Sequence, residues 1–268
     1  MRCGILIIGS LLWDDKNDRP AWRQARLDIG SQVPVRAPFY YGRKSEKRGD
    51  TFSMSFGTGK PSAQGIIVPC VAKIAGIAEL IEEAKALWRA EDAKANAGQI
   101  HKSWGCVGAL FNPKVTDRKL ASDWSDYFRR VDAPGVSVIG ADGRLGIPWP
   151  VTLGGKPADL DVILATATKP EADRPTARDV ADAWIAQTGG HENYFFENVR
   201  HGIRTPDDGD IWCRIEEQSP SWLKPEAHKQ AVDILRAERV AREASPWANW
   251  LRRLLLSIRR AFSVIDQA

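Results

Sequence analysis

The sequence predicts an α+β protein, and three observations carry that reading. The chain opens on an apolar run, Gly4-Ile5-Leu6-Ile7-Ile8, which is bounded by glycine and reads as a buried strand. Between residues 33 and 71, three further segments carry β-branched and aromatic residues between Gly, Pro and Lys punctuation. From Ala75 the apolar period becomes helical, and after Thr176 one helical pattern follows another.

Taken in order, the first strand runs into Gly9-Ser10-Leu11-Leu12-Trp13. A Gly-Ser turn of this kind leaves backbone N–H groups open to an anionic or carbonyl oxygen; the plain alternative is an ordinary strand-to-loop turn. Arg19-Pro20-Ala21-Trp22 reads as a charged, turn-rich connection. Strands are predicted at 33–41, 51–56 and 65–71, with the polar stretch 42–49 as a hairpin-like loop between the first two. Ile77, Leu80, Ile81, Ala84, Leu87 and Trp88 recur at three- and four-residue steps, which predicts one amphipathic helix ending near Gly98. Glu83, Leu87 and Glu91 share one side of it.

Residues 104–111 and 160–167 read as two more strands, separated by an ordered insertion around 113–157 that holds Trp124, Tyr127, Phe128 and Trp149. Thr176-Ala177-Arg178-Asp179 is a capping box opening a helix that stops at Gly189-Gly190. Further helices are predicted from His191 to Ile203, over 225–243 and over 247–265. The 268 residues divide into a domain over 1–217 and a helical tail over 218–268.

Composition narrows the function classes. The net charge of +4 is matched by Arg252, Arg253, Arg259 and Arg260, so the rest of the chain is near neutral and offers no basic face for nucleic acid. Cys3, Cys70, Cys106 and Cys213 show no Cys-x-x-Cys spacing and read as reduced packing residues of a cytoplasmic protein. His101, His191 and His201 are unevenly spaced, which predicts no metal site. Ser10 lacks the Gly-x-Ser-x-Gly elbow of a serine hydrolase. The 247–265 helix sets Trp250, Leu254, Ile258 and Phe262 opposite its arginines, a pattern that fits weak contact with an anionic membrane surface or packing against the core or a partner chain. The oligomeric state is left open.

In this order the segments resemble the γ-glutamylcyclotransferase-like superfamily, in particular its ChaC-type, glutathione-specific branch. Gly9-Ser10-Leu11-Leu12-Trp13 is similar to the family's N-terminal Tyr-Gly-Ser-Leu-Ile-Trp signature, with Ile8 where the family has Tyr. Arg43-Lys44-Ser45 with Arg48-Gly49 resembles its basic loop. Leu87-Trp88-Arg89-Ala90-Glu91 resembles the segment bearing the catalytic glutamate, with one extra residue between Arg and Glu. The stretch from Asp179 through Tyr194 to Arg204 is similar to the closing helix pair. The resemblance implies a mixed β-barrel or sheet with packed helices, a small-molecule γ-glutamyl substrate and no cofactor.

It also implies the roles. A γ-glutamyl amide carries its own nucleophile, because its α-amine can attack its γ-carbonyl and close a five-membered lactam. Glu91 is the expected acid and base, partly desolvated beside Trp88 and Leu87. The Gly9, Ser10 and Leu11 backbone would meet the oxyanion or a carboxylate, Arg43 or Arg48 would pair with a substrate carboxylate, and Tyr194 would face the same cavity or pack in the core. The alternative function is a non-catalytic module of the same fold that binds a small carboxylate.

Overall fold

The computed structural model describes residues 1–45, 49, 51–60, 62–96, 98–114, 118–136, 138–171, 173–187 and 192–244, with 242–244 described by backbone alone. Its strands are β1 (Cys3–Ile7), β2 (Val33–Ala37), β3 (Phe39–Ser45), β4 (Thr51–Phe56), β5 (Ala63–Pro69), β6 (His101–Lys102), β7 (Gly105–Phe111), β8 (Val151–Thr152) and β9 (Val162–Thr168). Its helices are α1 (Arg19–Arg26), α2 (Ile77–Glu91), α3 (Arg118–Arg130), α4 (Ala177–Ile185), α5 (Glu192–Arg200), α6 (Asp208–Gln218) and α7 (Lys229–Ala244).

Seven strands form one mixed sheet in the order β6-β7-β9-β1-β5-β2-β8, and β3 pairs with β4 as a separate two-stranded ribbon. At the centre, β1 runs parallel to β9 and antiparallel to β5. All five residues of β1 are buried, as a strand covered on both faces must be. The sheet is open rather than a barrel among the described residues: its two edges are β6 and β8, each only two residues long, and they lie at opposite ends of the strand order. The ribbon leans over β9, where the Ser55 hydroxyl donates to the Thr168 carbonyl at 2.9 Å.

Several expectations are corrected. The predicted strand over 33–41 is two strands, β2 and β3, divided at Pro38, which cannot donate to a ladder. The connection at Arg19 is a helix. Pro20 sits in its first turn, where a missing N–H is tolerated, and Trp22 buries against the core. Helix α2 ends at Glu91 instead of continuing toward Gly98. Asp92 leaves the helical conformation, accepts from the Lys94 N–H at 3.1 Å and pairs with Lys102, which closes a turn in place of another helical step.

The 113–157 segment is part of the core. Leu120, Trp124, Tyr127 and Phe128 form the buried stripe of α3, and the Trp124 indole donates to the Gly143 carbonyl at 2.9 Å. Gly143 has φ +72, and a Cβ there would fall 2.4 Å from the Phe128 ring, so glycine is required. The segment also supplies β8, which extends the sheet beside β2.

The Thr176–Asp179 capping box opens α4, with the Asp179 N–H donating to the Thr176 hydroxyl at 3.2 Å. Helix α6 belongs to a segment with no sequence expectation; its Ile211, Trp212 and Ile215 are buried. Helix α7 packs on α5 and α6 and buries Ala231, Val232 and Leu235. Just before it, His228 stacks on Phe196 at 4.3 Å and shares a 3.0 Å hydrogen bond with Asn193. The cysteines are free, and burial pushes the Cys106 thiol up to about 12. Among the described residues no helix is long and apolar enough to cross a membrane. The 247–265 helix and the Gly189-Gly190 stop lie outside the described residues.

Candidate functional site

A cavity of about 90 Å³ lies beyond the C-terminal ends of the parallel neighbours β1 and β9, under the β3–β4 ribbon. Five elements bring polar groups to it, β9 through Thr166 and Thr168. The chain leaving β1 supplies Gly9, Ser10 and Leu11; the ribbon supplies Arg43, Ser45 and Ser53; the last residue of α2 supplies Glu91; and α5 supplies Tyr194. Leu6, Ile8 and Met54 contribute apolar lining.

After β1 the chain makes a single 3-10 turn over Ser10–Leu12. Its backbone bonds run from Leu12 N–H to Gly9 carbonyl at 3.3 Å and from Trp13 and Asp14 N–H to the Ser10 carbonyl at 3.2 and 2.8 Å. A helical turn leaves its first N–H groups without internal acceptors, so among the described residues Gly9 and Leu11 have donors to offer a ligand. Gly9 has a steric reason as well: a Cβ there would lie 3.0 Å from the Tyr194 hydroxyl.

The turn is tied to both helical walls. Arg19 is 7% exposed, and its Nε donates to the Ala90 carbonyl at 2.9 Å, directly before Glu91. Its Nη1 donates to Asp14 Oδ2 at 2.7 Å and to the Ser10 hydroxyl at 3.3 Å. One guanidinium thus fixes the turn against the end of α2, where a cation also complements the helix dipole. Arg23 adds bonds to the Leu11 and Asp14 carbonyls at 2.9 and 3.0 Å. On the other side the Trp13 indole donates to Asn198 Oδ1 at 2.8 Å, and its ring lies 6.0 Å from that of Tyr194.

The remaining polar groups are held by aromatic packing. The Arg43 guanidinium lies 4.5 Å from the centre of the Trp104 ring, which stacks on Trp88 of α2 at 4.9 Å. Tyr194 accepts from the Met54 N–H at 3.2 Å and packs edge-on to Tyr41 and Trp184. Among the described residues no hydrogen bond or ion pair engages the Glu91 carboxylate. By contrast Glu83, two turns earlier on the same side of α2, is 3% exposed and pairs with Arg26 at 2.8 Å.

Of the residues singled out from the sequence, Gly9, Ser10, Leu11, Arg43, Glu91 and Tyr194 therefore line one cavity, whereas Arg48 lies outside the described residues. Sequence reading passed over Arg19, whose partners lie up to 71 residues away, and Thr166 and Thr168, which also line the cavity. A carboxylate, a guanidinium and outward-facing amides around a space of this size suit a small zwitterion or carboxylate. Among the described residues no cluster of three or more His, Cys, Asp or Glu side chains is placed to hold a metal ion.

Comparison with protein-family models and with curated proteins returns no match. A solved structure, a γ-glutamyl cyclotransferase specific to glutathione from yeast, aligns over 89% of this chain and 100% of its own at 7% identity and a TM-score of 0.30. A likeness that loose fixes neither the fold nor the family.

Proposed function

We propose that this chain is a γ-glutamylcyclotransferase-like enzyme that converts a γ-glutamyl amide into 5-oxoproline and a free amine. The observation that supports the reading is the shared cavity: the Glu91 carboxylate, unpaired among the described residues, and the Gly9–Leu11 backbone bound the same 90 Å³ space. In this reading the γ-glutamyl unit fills that space and the amine to be released extends toward its mouth.

The substrate's α-amine enters as ammonium, and Glu91 accepts its proton. The freed lone pair attacks the γ-carbonyl, forming the new C–N bond, and the oxyanion that develops is met by N–H donors of the turn, oriented before the charge appears. Arg43, braced by Trp104, pairs with the substrate carboxylate. Collapse of the tetrahedral species breaks the original amide bond as Glu91 returns its proton to the departing nitrogen, and the second proton that the ring nitrogen sheds on closing the lactam is taken up by the released amine, which leaves as ammonium. No water is consumed and no covalent enzyme intermediate forms.

The test is to incubate the full chain with a panel of γ-glutamyl amides, glutathione among them, and measure 5-oxoproline. The Glu91→Gln variant should melt with the parent and lose about 10²–10⁴ of the rate, the usual contribution of a positioned acid or base. Full activity in Glu91→Gln removes the mechanism. A ligand-induced rise in Tm with no product would instead make the cavity a carboxylate receptor.

A further inference from the structure

Two buried hydroxyls of the cavity have neither a role in this chemistry nor a partner within the described residues. Thr166 and Thr168 stand two residues apart on β9, so their side chains project from the same face, and both line the cavity. Both hydroxyl oxygens are buried, and neither has a hydrogen-bond partner among the described residues. Thr168 is 8% exposed. The parallel register sets Cys3 beside Val162 and Ile5 beside Leu164. Beyond that pairing both strands run on to the cavity, which Ile7 and Gly9 line together with Thr166 and Thr168.

A buried hydroxyl with no partner destabilises a protein, whereas valine would fill the same volume with no polar atom to satisfy. Two such hydroxyls, side by side and facing one cavity, are explained by a ligand that supplies their partners. Among the other polar groups there, the turn amides and Arg43 only donate and an ionised Glu91 only accepts, while Ser10 and Tyr194 already have hydrogen-bond partners within the protein. A hydroxyl can donate to a carboxylate and accept from an ammonium, which is what the head of an α-amino acid presents.

We propose that Thr166 and Thr168 are specificity-determining residues that grip the α-amino-acid head of the substrate, donating to its α-carboxylate. The inference rests on the cyclotransferase reading and deepens it. The site accepts γ-acyl amides that carry a free α-carboxylate and discriminates against 4-aminobutyryl amides, which have the same amine and could close the same five-membered ring but lack that carboxylate.

Matched γ-glutamyl and 4-aminobutyryl anilides test this in two ways. Turnover is measured with the parent chain, and equilibrium binding is measured by calorimetry in the Glu91→Gln background, where chemistry is blocked. The parent should favour the glutamyl compound. Thr166→Val and Thr168→Val should each reduce that preference by about tenfold to a hundredfold, as expected for one hydrogen bond to a charged group. Without ligand each valine variant should melt at or above the parent temperature, since it removes an unpartnered hydroxyl.

If the preference survives both substitutions, or the ligand-free Tm falls, the hydroxyls are structural and the proposal is overturned. Carboxylate-dependent binding that the valines weaken, with no turnover by the parent, would uphold the Thr166 and Thr168 assignment and overturn the cyclotransferase reading. A chain that binds neither anilide overturns both.

Discussion

Replacing Arg19 with alanine probes how the cavity is held together. The Arg19 side chain is 9% exposed and its partner Asp14 is 14% exposed. Without the guanidinium, Asp14 retains the Lys16 N–H at 3.0 Å, while the Ala90 carbonyl loses the Arg19 Nε donor. Removing one member of a buried pair costs about 3–5 kcal/mol, because the remaining charge stays desolvated. Asp14 keeps a backbone bond and some solvent, which places this case near the lower end, about 3 kcal/mol. At about 2–4 °C per kcal/mol for a chain of this size, Arg19→Ala should melt about 6–12 °C lower.

The loss is smaller than the roughly 5–15 kcal/mol stability of an ordinary domain, so the variant should still fold. Turnover should fall further than stability alone accounts for, because the turn and the end of α2 lose their common tether, and a displacement of about 1 Å at reacting groups can cost about 10²-fold. Arg19→Lys keeps a positive charge near Asp14 but not the planar fork, so it should restore stability more than turnover. Urea unfolding of Arg19→Ala, Asp14→Ala and the double variant should give a coupling of about 1–3 kcal/mol. A coupling below about 0.5 kcal/mol, with Arg19→Ala melting within about 2 °C of the parent, would refute the reasoning.

Three other outcomes follow from the packing and the titration. Gly9→Ala brings a Cβ to 3.0 Å from the Tyr194 hydroxyl and should cost about 1–3 kcal/mol by overpacking; since Tyr194→Phe alone orphans the Met54 N–H, the check is the Gly9→Ala cost within the Tyr194→Phe background, which should largely vanish, and an undiminished cost there would mean the contact is not the cause. Trp124→Ala empties a fully buried site under α3 and should cost about 3–5 kcal/mol in urea unfolding, whereas a cost under about 1 kcal/mol would separate residues 118–145 from the core. Burial holds His201 below the usual histidine value, with the Arg200 charge acting in the same direction and Glu197 against it. Because the unfolded chain then protonates first, stability from this residue is present above about pH 6.5 and is lost as the pH falls through the lower folded value. Denaturation at a series of pH values should show a shallower acid-side loss in His201→Gln, and an identical profile would dismiss the effect.

What could be read from the sequence follows from which contacts are local. Strands β1, β4 and β9 are apolar or β-branched runs with clear punctuation, and α2 declares itself by repeating apolar residues over its whole length. Helix α1 does not, since its eight residues bury only Arg19 and Trp22 and its other positions are small, polar or charged. The spacing of Leu120, Trp124, Tyr127 and Phe128 carries a helical signal that a long Gly- and Pro-containing segment conceals. At the site, Glu91 stood out only through resemblance, because no pattern of composition separates it from the other acids of α2. Arg19 was hidden for a different reason: its work is done across 71 residues, and a lone arginine beside a proline looks like any solvated charge. Thr166 and Thr168 look like ordinary β-branched strand residues until the atoms around their hydroxyls are known.

The joint between α5 and the last described helix has a practical side for anyone shortening or tagging this protein. The cavity's phenol sits next to Asn193, which is latched to His228, and α7 rests against the same helix. Trimming from 220 onward would remove the outer support of the wall that holds Tyr194. Loss of activity in a shortened chain would then report a sagging wall, not a missing reactive group.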